Sequence, residues 1–171
     1  MDAIENYFSN SSKVISSLNK DLEIIKDISK EIFKLNKNNG KIMIAGNGGS
    51  CADAEHFAGE LLCTFKDRDR KGFSAVSLAN NPSAITAWSN DFGFETFFSR
   101  QVSSLGKSGD ILFLISTGGG NIENKASMNL VYAAEVAKKN NIQVFTLAGK
   151  GGGILKEISD YAVVVESSIT S

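Results

Sequence analysis

Five short apolar runs, separated by segments of helical length, are the feature that most constrains the fold of this chain. Runs that are apolar at nearly every position are typical of strands buried on both faces. Their alternation with helices indicates a parallel sheet covered on both sides. The sequence therefore predicts an α/β fold, a three-layer α/β/α sandwich with a five-stranded parallel sheet. The predicted strands are Lys41–Ala45, Ser74–Leu78, Ile111–Ile115, Gln143–Ala148 and Tyr161–Val165.

Two amphipathic helices are predicted before the first strand. Apolar residues recur mostly at three- and four-residue spacing from Asp2 to about Lys37, with interruptions at "SNSS" and "NKD". Gly40 readily takes the left-handed conformation that ends helices, so the second helix stops before it. The helices that alternate with the strands are predicted at Ser50–Phe65, Pro82–Asn90, Glu95–Leu105, Lys125–Asn140 and Gly152–Ile158.

Length and composition fit one domain. The chain has 171 residues, of which 42% are hydrophobic, and it shows no repeat, low-complexity tract or linker. Residues 1–171 are therefore expected to form a single domain, with an α/β core over 41–165 behind the helices of 1–38. A net charge of −1 provides no general attraction to nucleic acid or to an anionic membrane, and neither is expected as a partner.

The cysteines and the amino terminus favour a cytoplasmic location. Cys51 and Cys63 fall in one predicted helix, so they make neither a disulfide framework nor a metal-binding CxxC pair. The amino terminus lacks the basic and apolar regions of a signal peptide, and no apolar stretch approaches the ~20 residues that span a bilayer.

Two glycine-rich turns follow the first and third predicted strands, "GNGGS" (Gly46–Ser50) and "STGGGN" (Ser116–Asn121). Ligands of parallel α/β sheets bind beyond the carboxyl ends of the strands, where such turns present backbone N–H groups. A short glycine-rich turn is equally a tight turn without a ligand, but two at equivalent strand ends favour a phosphate site without a lysine. The candidate binding residues are Asn47, Gly48, Gly49, Ser50, Ser116, Thr117, Gly118 and Asn121.

A phosphosugar fits these turns better than a nucleotide does. The dinucleotide pattern G-x-G-x-x-G would need a glycine where Cys51 stands, and the pattern G-x-x-x-x-G-K-[ST] is absent.

The only histidine lies directly after the first turn. His56 and Glu60 are four residues apart and share one face of the predicted helix. Such a pair is most often an ordinary surface pair, but beside a ligand turn it is a candidate base, proton carrier or half of a metal site. Asp53 and Glu55 are more simply first-turn acids that complement the helix dipole. In "WSNDFGFE", Asn90 and Asp91 either end a helix or bind sugar hydroxyls.

The chain resembles the sugar isomerase (SIS) domain family, and within it the phosphoheptose isomerases. The likeness is carried by "GNGGSCADAEHFAGEL", "NDFGFETFFSRQV", "GDILFLISTGGGN" and "AGKGGG", in the family's order. The resemblance implies a flavodoxin-like sheet, a homotetramer with active sites between subunits, and isomerisation of sedoheptulose 7-phosphate to D-glycero-D-manno-heptose 7-phosphate. It also implies that Glu60 is the base, that Ser50, Ser116 and Thr117 bind phosphate, and that Asn47 and Asp91 lie near the sugar.

The resemblance further implies a possible zinc ion, for which His56 and Glu60 would supply two ligands. In the family a further helix follows the last strand and opens with an R-I-Q-E-x-H-type motif, which would complete the acid/base pair and the metal site. That motif is absent from these 171 residues, so a carboxy-terminal helix is expected beyond them.

Two departures concern the second turn. The family usually reads S-T-S-G-N-S there, whereas Gly118 and Asn121 stand at the positions of two phosphate-binding serines, and the following segment is several residues longer. The alternative function is therefore a non-catalytic SIS protein, a phosphosugar-binding regulator or a replication-initiator-associated adaptor. The presence of both His56 and Glu60 favours the enzyme.

Overall fold

The computed structural model describes residues 2–64 and 66–167, and it confirms the predicted α/β architecture. Five parallel strands form one sheet in the order β2-β1-β3-β4-β5. In register, Ile42 stands opposite Ala75 on one side and Ile111 on the other, and Ile111 stands opposite Gln143. The strands are β1 Ile42–Gly46, β2 Ala75–Ser77, β3 Ile111–Ser116, β4 Gln143–Ala148 and β5 Tyr161–Val164.

Seven helices surround the sheet in the described residues. They are α1 Ala3–Ser17, α2 Leu22–Lys37, α3 Gly49–Leu62, α4 Pro82–Phe92, α5 Phe97–Leu105, α6 Met128–Lys139 and α7 Gly153–Ile158. Short 3₁₀ turns at Leu18–Asp21 and Phe94–Thr96 lead into α2 and α5. In this described part of the chain, none of the helices has the length and apolarity needed to cross a membrane.

Each strand buries its two faces in different helical layers, because successive side chains of a strand point in opposite directions. Met43 and Ala45 of β1 join the cluster formed with α5 and α6, which includes the fully buried Phe97 and Phe98. Ile42 and Ile44 join the opposite cluster, formed with α2 and α3. The sheet is therefore the middle layer of a three-layer sandwich, as the apolar runs predict.

The first helix contributes no buried residue to the core. Its apolar residues Ile4, Phe8 and Ile15 are each more than 60% exposed, whereas α2 buries Ile28 and Leu35 against the sheet. Within the described chain, only α2 of this pair belongs to the core.

Most predicted boundaries differ from the structure by one to three residues, and three of these differences have a clear origin. Strand β2 is shorter than predicted, because only three of its residues pair with β1 at the sheet's edge. The helix predicted from Lys125 begins at Met128, because Lys125 and Ser127 have positive φ angles of 57° and 54° that a helix does not contain. Helix α3 ends at Leu62; the predicted end at Phe65 lies outside the described residues.

Candidate functional site

The turn after β1 folds tightly against the start of α3. Gly48 has a φ of +58°, the left-handed region that favours glycine, and the N–H of Cys51 donates to its carbonyl at 3.0 Å. A Cβ on Gly46 would overlap the carbonyl oxygen of Ser50. The glycines thus let the first turn of α3 begin directly at the carboxyl end of β1, which places Ser50 beside the sheet edge.

Asn47, in the same turn, is fixed by a reciprocal amide pair. Its Nδ2 donates to Oδ1 of Asn129 at 3.0 Å, and the Nδ2 of Asn129 donates back at 2.9 Å. Asn129 is buried in the first turn of α6. This pair joins the turn after β1 to the helix that follows β3.

Ser116 organises the loop after β3. It is buried, its Oγ accepts the N–H of Gly119 at 3.0 Å, and the same oxygen lies 3.4 Å from Oγ of Ser127. The hydroxyl therefore shapes the loop from inside and also faces the position where α6 begins.

The loops after β3 and β4 contact each other through their backbones. A Cβ on Gly119 would overlap the carbonyl oxygen of Gly152, and one on Gly153 would overlap the carbonyls of Gly118 and Gly120. The N–H of Leu155 donates to the carbonyl of Gly119 at 2.8 Å. Glycine is needed at this crossing because two backbones meet where no side chain fits.

Two neighbouring cavities open at this edge of the sheet. The first, of about 200 Å³, lies between α3 and the loops after β3, β4 and β5; the second, of about 240 Å³, lies between the turn after β1 and the start of α6. The first is lined by Ser50, Asp53, Ile115, Ser116, Thr117, Leu147, Ala148, Gly149, Lys150, Val165 and Ser167. The second is lined by Asn47, Phe94, Glu95, Lys125, Ser127, Met128 and Asn129. Because Ser116 lines one and Ser127 the other, their 3.4 Å contact marks the boundary between the cavities.

The candidate base and its histidine lie on α3, beyond the first cavity. His56 Nε2 is 3.2 Å from Glu60 Oε1, and their side chains are 79% and 40% exposed. Asp53, which lines the first cavity, precedes His56 by three residues and Glu60 by seven, so the three side chains follow one face of the helix. That face places a carboxylate and an imidazole within two turns of the cavity.

A zinc site is not complete within residues 2–64 and 66–167. No group of three or more histidine, cysteine or acidic side chains comes together there, so His56 and Glu60 would supply only two ligands. Protein zinc sites use three or four protein ligands. The described residues thus fit half of a metal site.

Four predicted binding residues lie differently from the others. Asn90 and Asp91 are exposed at the end of α4, where the amide donates to the carboxylate at 2.8 Å, and they line neither cavity. Asn121 accepts the N–H groups of Glu123 and Asn124 and lines a separate surface depression next to α7, and Gly118 packs against Gly153. The structure therefore brings Asn47, Ser50, Ser116 and Thr117 together at the cavities and leaves these four outside, while Gly48 and Gly49 form the turn after β1 and line neither cavity.

Several polar residues that line the cavities are not among the predicted binding residues. Asp53 is predicted as an acid that complements the helix dipole, although its three-residue spacing from Ser50 indicates a shared face. Lys150 directly follows a strand, in "AGKGGG", and a third strand-end turn is itself a signal for this edge. Ser127 and Asn129 depend on where α6 begins, and nothing in the local pattern indicates that position.

Cys51 is held in its thiol form. Burial is the main cause that raises its pKa above the ordinary value, and the charge of Glu55 adds to the effect. A thiol with a raised pKa is a poor nucleophile, so Cys51 is not a candidate for nucleophilic chemistry at this site.

Known proteins share both the sequence pattern and the fold. The pattern of the SIS domain family matches residues 6–149. A phosphoheptose isomerase of Helicobacter pylori strain P12 is 43% identical over 158 residues, covering 90% of this chain and 79% of that protein. Phosphoheptose isomerase 2 of Campylobacter jejuni serotype O:2 is 39% identical over 170 residues, covering 98% and 81%.

A solved structure agrees with them. The phosphoheptose isomerase of Neisseria gonorrhoeae has a TM-score of 0.87 to this chain at 33% identity, and the match covers 98% of this chain and 86% of that one. The range that matches the family pattern contains both glycine-rich turns, α3 and strands β1 to β4. The chain therefore belongs to the SIS domain family.

Proposed function

We propose that this protein is a phosphoheptose isomerase, an aldose–ketose isomerase that converts sedoheptulose 7-phosphate to D-glycero-D-manno-heptose 7-phosphate. The observation that carries the proposal is the placement of Glu60 on the same helix as Ser50, so that a carboxylate base and a hydroxyl-lined cavity share one rigid element. Relatives at 39–43% identity carry the name phosphoheptose isomerase and match along about four fifths of their length.

The reaction moves a proton between adjacent carbons. Glu60 removes a proton from C1 of the ketose, the electron pair forms the C1–C2 double bond of an enediol, and the C2 oxygen takes up a proton. Return of a proton to C2 and loss of the O1 proton give the aldose. A carboxylate suits this role because it can take and return the same proton.

The phosphate end is held by hydroxyls and cations. Ser50, Ser116 and Thr117 line the first cavity with Lys150, and charge-assisted hydrogen bonds to phosphate are roughly twice as strong as neutral ones. Lys150 supplies a charge that the glycine-rich turns do not contain. We infer that Asn47 and Asp91 approach the sugar, with Asp91 reaching it only from outside the two cavities described.

His56 lies beside Glu60 and would carry protons to the sugar oxygens. The same two side chains would provide two ligands to a zinc ion, whose chemistry when bound would be to polarise the carbonyl. Further ligands would have to come from outside the described residues, and the proton transfer by Glu60 requires none of them. Metal analysis of the complete gene product, with and without His56→Ala, tests this part of the proposal.

We further propose that α1 and α2 pack against other subunits of a homotetramer, with active sites between subunits. The support is the apolar face of α1, which touches no core in this chain and exposes Ile4, Phe8 and Ile15. Such a packing would also let Asp91 serve a neighbouring subunit's cavity. Sedimentation equilibrium of the purified protein measures the assembly, and a monomer would contradict it.

The pathway and the location follow from the substrate. A heptose phosphate product would serve the synthesis of bacterial surface carbohydrate, lipopolysaccharide or capsule, in the cytoplasm. The non-catalytic alternative is not favoured, because relatives along the whole chain are named as isomerases and both His56 and Glu60 are present.

The deciding experiment is an NMR assay of the complete gene product with sedoheptulose 7-phosphate in D₂O. We expect a new aldose phosphate that carries deuterium at C2, because the transferred proton exchanges with solvent on the base. Saturable binding without turnover would reject the isomerase and restore the binding-protein alternative. Product without deuterium would indicate that the base is shielded from solvent or that a hydride moves instead.

A further inference from the structure

The loop between β3 and α6 is closed and held in place by its own side chains. The N–H of Asn121 donates to the carbonyl of Ala126 at 3.0 Å, which closes the loop. Oδ1 of Asn121 accepts the N–H of Glu123 at 2.8 Å, and Oδ1 of Asn124 accepts the N–H of Ala126 at 3.0 Å. These bonds fix the backbone on both sides of Lys125, so its side chain starts from a defined position.

The backbone of this loop is strained next to the second cavity. Lys125 and Ser127 have φ angles of +57° and +54°, and both line that cavity. Residues other than glycine rarely adopt positive φ angles. Such angles persist only where the surrounding structure imposes them, which is often at ligand sites. The strain places a lysine and a serine side by side at the cavity wall.

The charges around the second cavity leave Lys125 available to a ligand. The cavity also contains Glu95, and Glu123 is close to Lys125 in sequence, but Lys125 takes part in none of the ion pairs found within residues 2–64 and 66–167. One carboxylate oxygen of Glu95 lies only 2.8 Å from the place that a Cβ on Gly93 would occupy, so Glu95 folds back over its own turn. The other polar side chains of this cavity are the hydroxyl of Ser127 and the amides of Asn47 and Asn129, which bond to each other.

We propose that Lys125 is a substrate-binding residue that reaches, from the second cavity, the phosphate of the sugar phosphate where the two cavities meet. A cation next to hydroxyl groups is an arrangement that recognises a phosphate dianion. The hydroxyls of Ser116 and Ser127 lie 3.4 Å apart at this boundary, so a phosphate bound by Ser116 from the first cavity is also next to the cavity that Lys125 lines. The proposal rests on the proposed function and deepens it: the longer loop supplies a charge where Gly118 and Asn121 lack a hydroxyl.

The test compares Lys125→Met with Lys125→Arg and with the matched control Lys139→Met. Lys139 is exposed at the far end of α6 and lines neither cavity. With the full-length protein and sedoheptulose 7-phosphate, we expect Lys125→Met to raise KM about tenfold, the effect of a modest charge-assisted hydrogen bond, with kcat nearly unchanged. The inhibition constant of inorganic phosphate should rise by a similar factor. Lys125→Arg should keep KM and the inhibition constant of phosphate close to the wild-type values, and Lys139→Met should change neither constant.

An unchanged KM in Lys125→Met, or an equal rise in Lys139→Met, would overturn the proposal. Glu95→Gln tests the other role that Lys125 could have, as the ion-pair partner of Glu95. If the two side chains formed an ion pair, Lys125→Met and Glu95→Gln would lower the melting temperature equally, and neither would change KM. We expect Glu95→Gln to leave KM unchanged or to lower it.

Failure of the proposed function would be distinguishable. If the wild-type protein does not turn over sedoheptulose 7-phosphate, calorimetric titration with that compound and with inorganic phosphate still measures the contribution of Lys125. Binding that weakens in Lys125→Met keeps the inference while the isomerase is rejected. Binding that is absent, or equal in both proteins, rejects the inference as well.

Discussion

Polar side chains have different partners at the two ends of the parallel strands, called here the amino edge and the carboxyl edge of the sheet. At the amino edge, Asp110 is buried and accepts the backbone N–H groups of Lys41 at 3.0 Å and Lys107 at 2.8 Å, together with the ammonium of Lys41. Asp160 similarly accepts the N–H of Val144 and the ammonium of Lys138. At the carboxyl edge, Ser50, Thr117, Lys125 and Lys150 line open cavities instead.

The difference teaches where the stability and the chemistry of this fold lie. A carboxylate whose partners all come from the protein contributes to folding and has no capacity left for a ligand. Side chains that line a cavity contribute little to folding and keep their capacity for a substrate. Variants at the two edges should therefore separate loss of stability from loss of function.

The largest expected effect is on turnover, at the carboxyl edge. Glu60→Gln keeps the shape of the side chain but removes the base, so kcat should fall by about 10²–10⁴-fold. The melting temperature should stay the same, because the side chain of Glu60 is 40% exposed and, among the residues that the structure describes, bonds only to His56. Glu55→Gln on the same helix is the control. Retention of more than a tenth of the turnover would remove Glu60 from the role of base.

The next effect is on stability, at the amino edge. Asp110→Ala leaves the Lys41 ammonium and two backbone N–H groups without an acceptor, so the free energy of unfolding should fall by about 3 kcal/mol. Asp160→Ala removes a more exposed carboxylate and should cost about 1 kcal/mol. Urea unfolding measures both. If Asp110→Ala impaired turnover without lowering stability, the division between the edges would be wrong.

Ser116→Ala tests a residue that both stabilises its own loop and faces the cavities. The hydroxyl accepts the N–H of Gly119 and also faces the cavities, so sugar phosphate binding should weaken by about 2 kcal/mol, within the range for hydrogen bonds to charged groups. Isothermal titration calorimetry gives the affinity, with the exposed Ser104→Ala as control. Equal affinities in wild type and Ser116→Ala would remove Ser116 from the phosphate site.

The smallest effect concerns an exposed ion pair at the carboxyl edge, between Lys20 and Glu166. The hydrogen bond from Lys20 lowers the pKa of Glu166 below its ordinary value. The pair therefore stabilises the fold at pH values above that ordinary pKa, and the contribution disappears as the pH falls through the lowered pKa. We expect only a shallow loss of stability on acidification, and Glu166→Gln should remove it. Identical acid titrations of the two proteins would show that the pair contributes nothing.

Much of this fold follows from the sequence, because buried strands must be apolar whatever surrounds them. All five strands lie within a few residues of their predicted positions for that reason. The start of α6 does not follow, since the positive φ angles of Lys125 and Ser127 depend on how the loop closes. For the same reason the sequence does not show that the Asn121 side chain bonds to its own loop, or that Ser127 comes within 3.4 Å of Ser116. Glycine turns indicate an edge of the sheet; only tertiary structure selects the side chains that reach a cavity.

The contact between the glycines of the two neighbouring loops also limits how this site can vary. Gly119 is pressed against Gly152, and Gly153 against Gly118 and Gly120, so the inner part of the loop after β3 cannot change without a matching change after β4. Extra length can enter only on the outer side of that contact, between Gly120 and Ser127. Substrate preference can therefore diversify by insertion there, while the part of the loop that meets the sheet keeps its form.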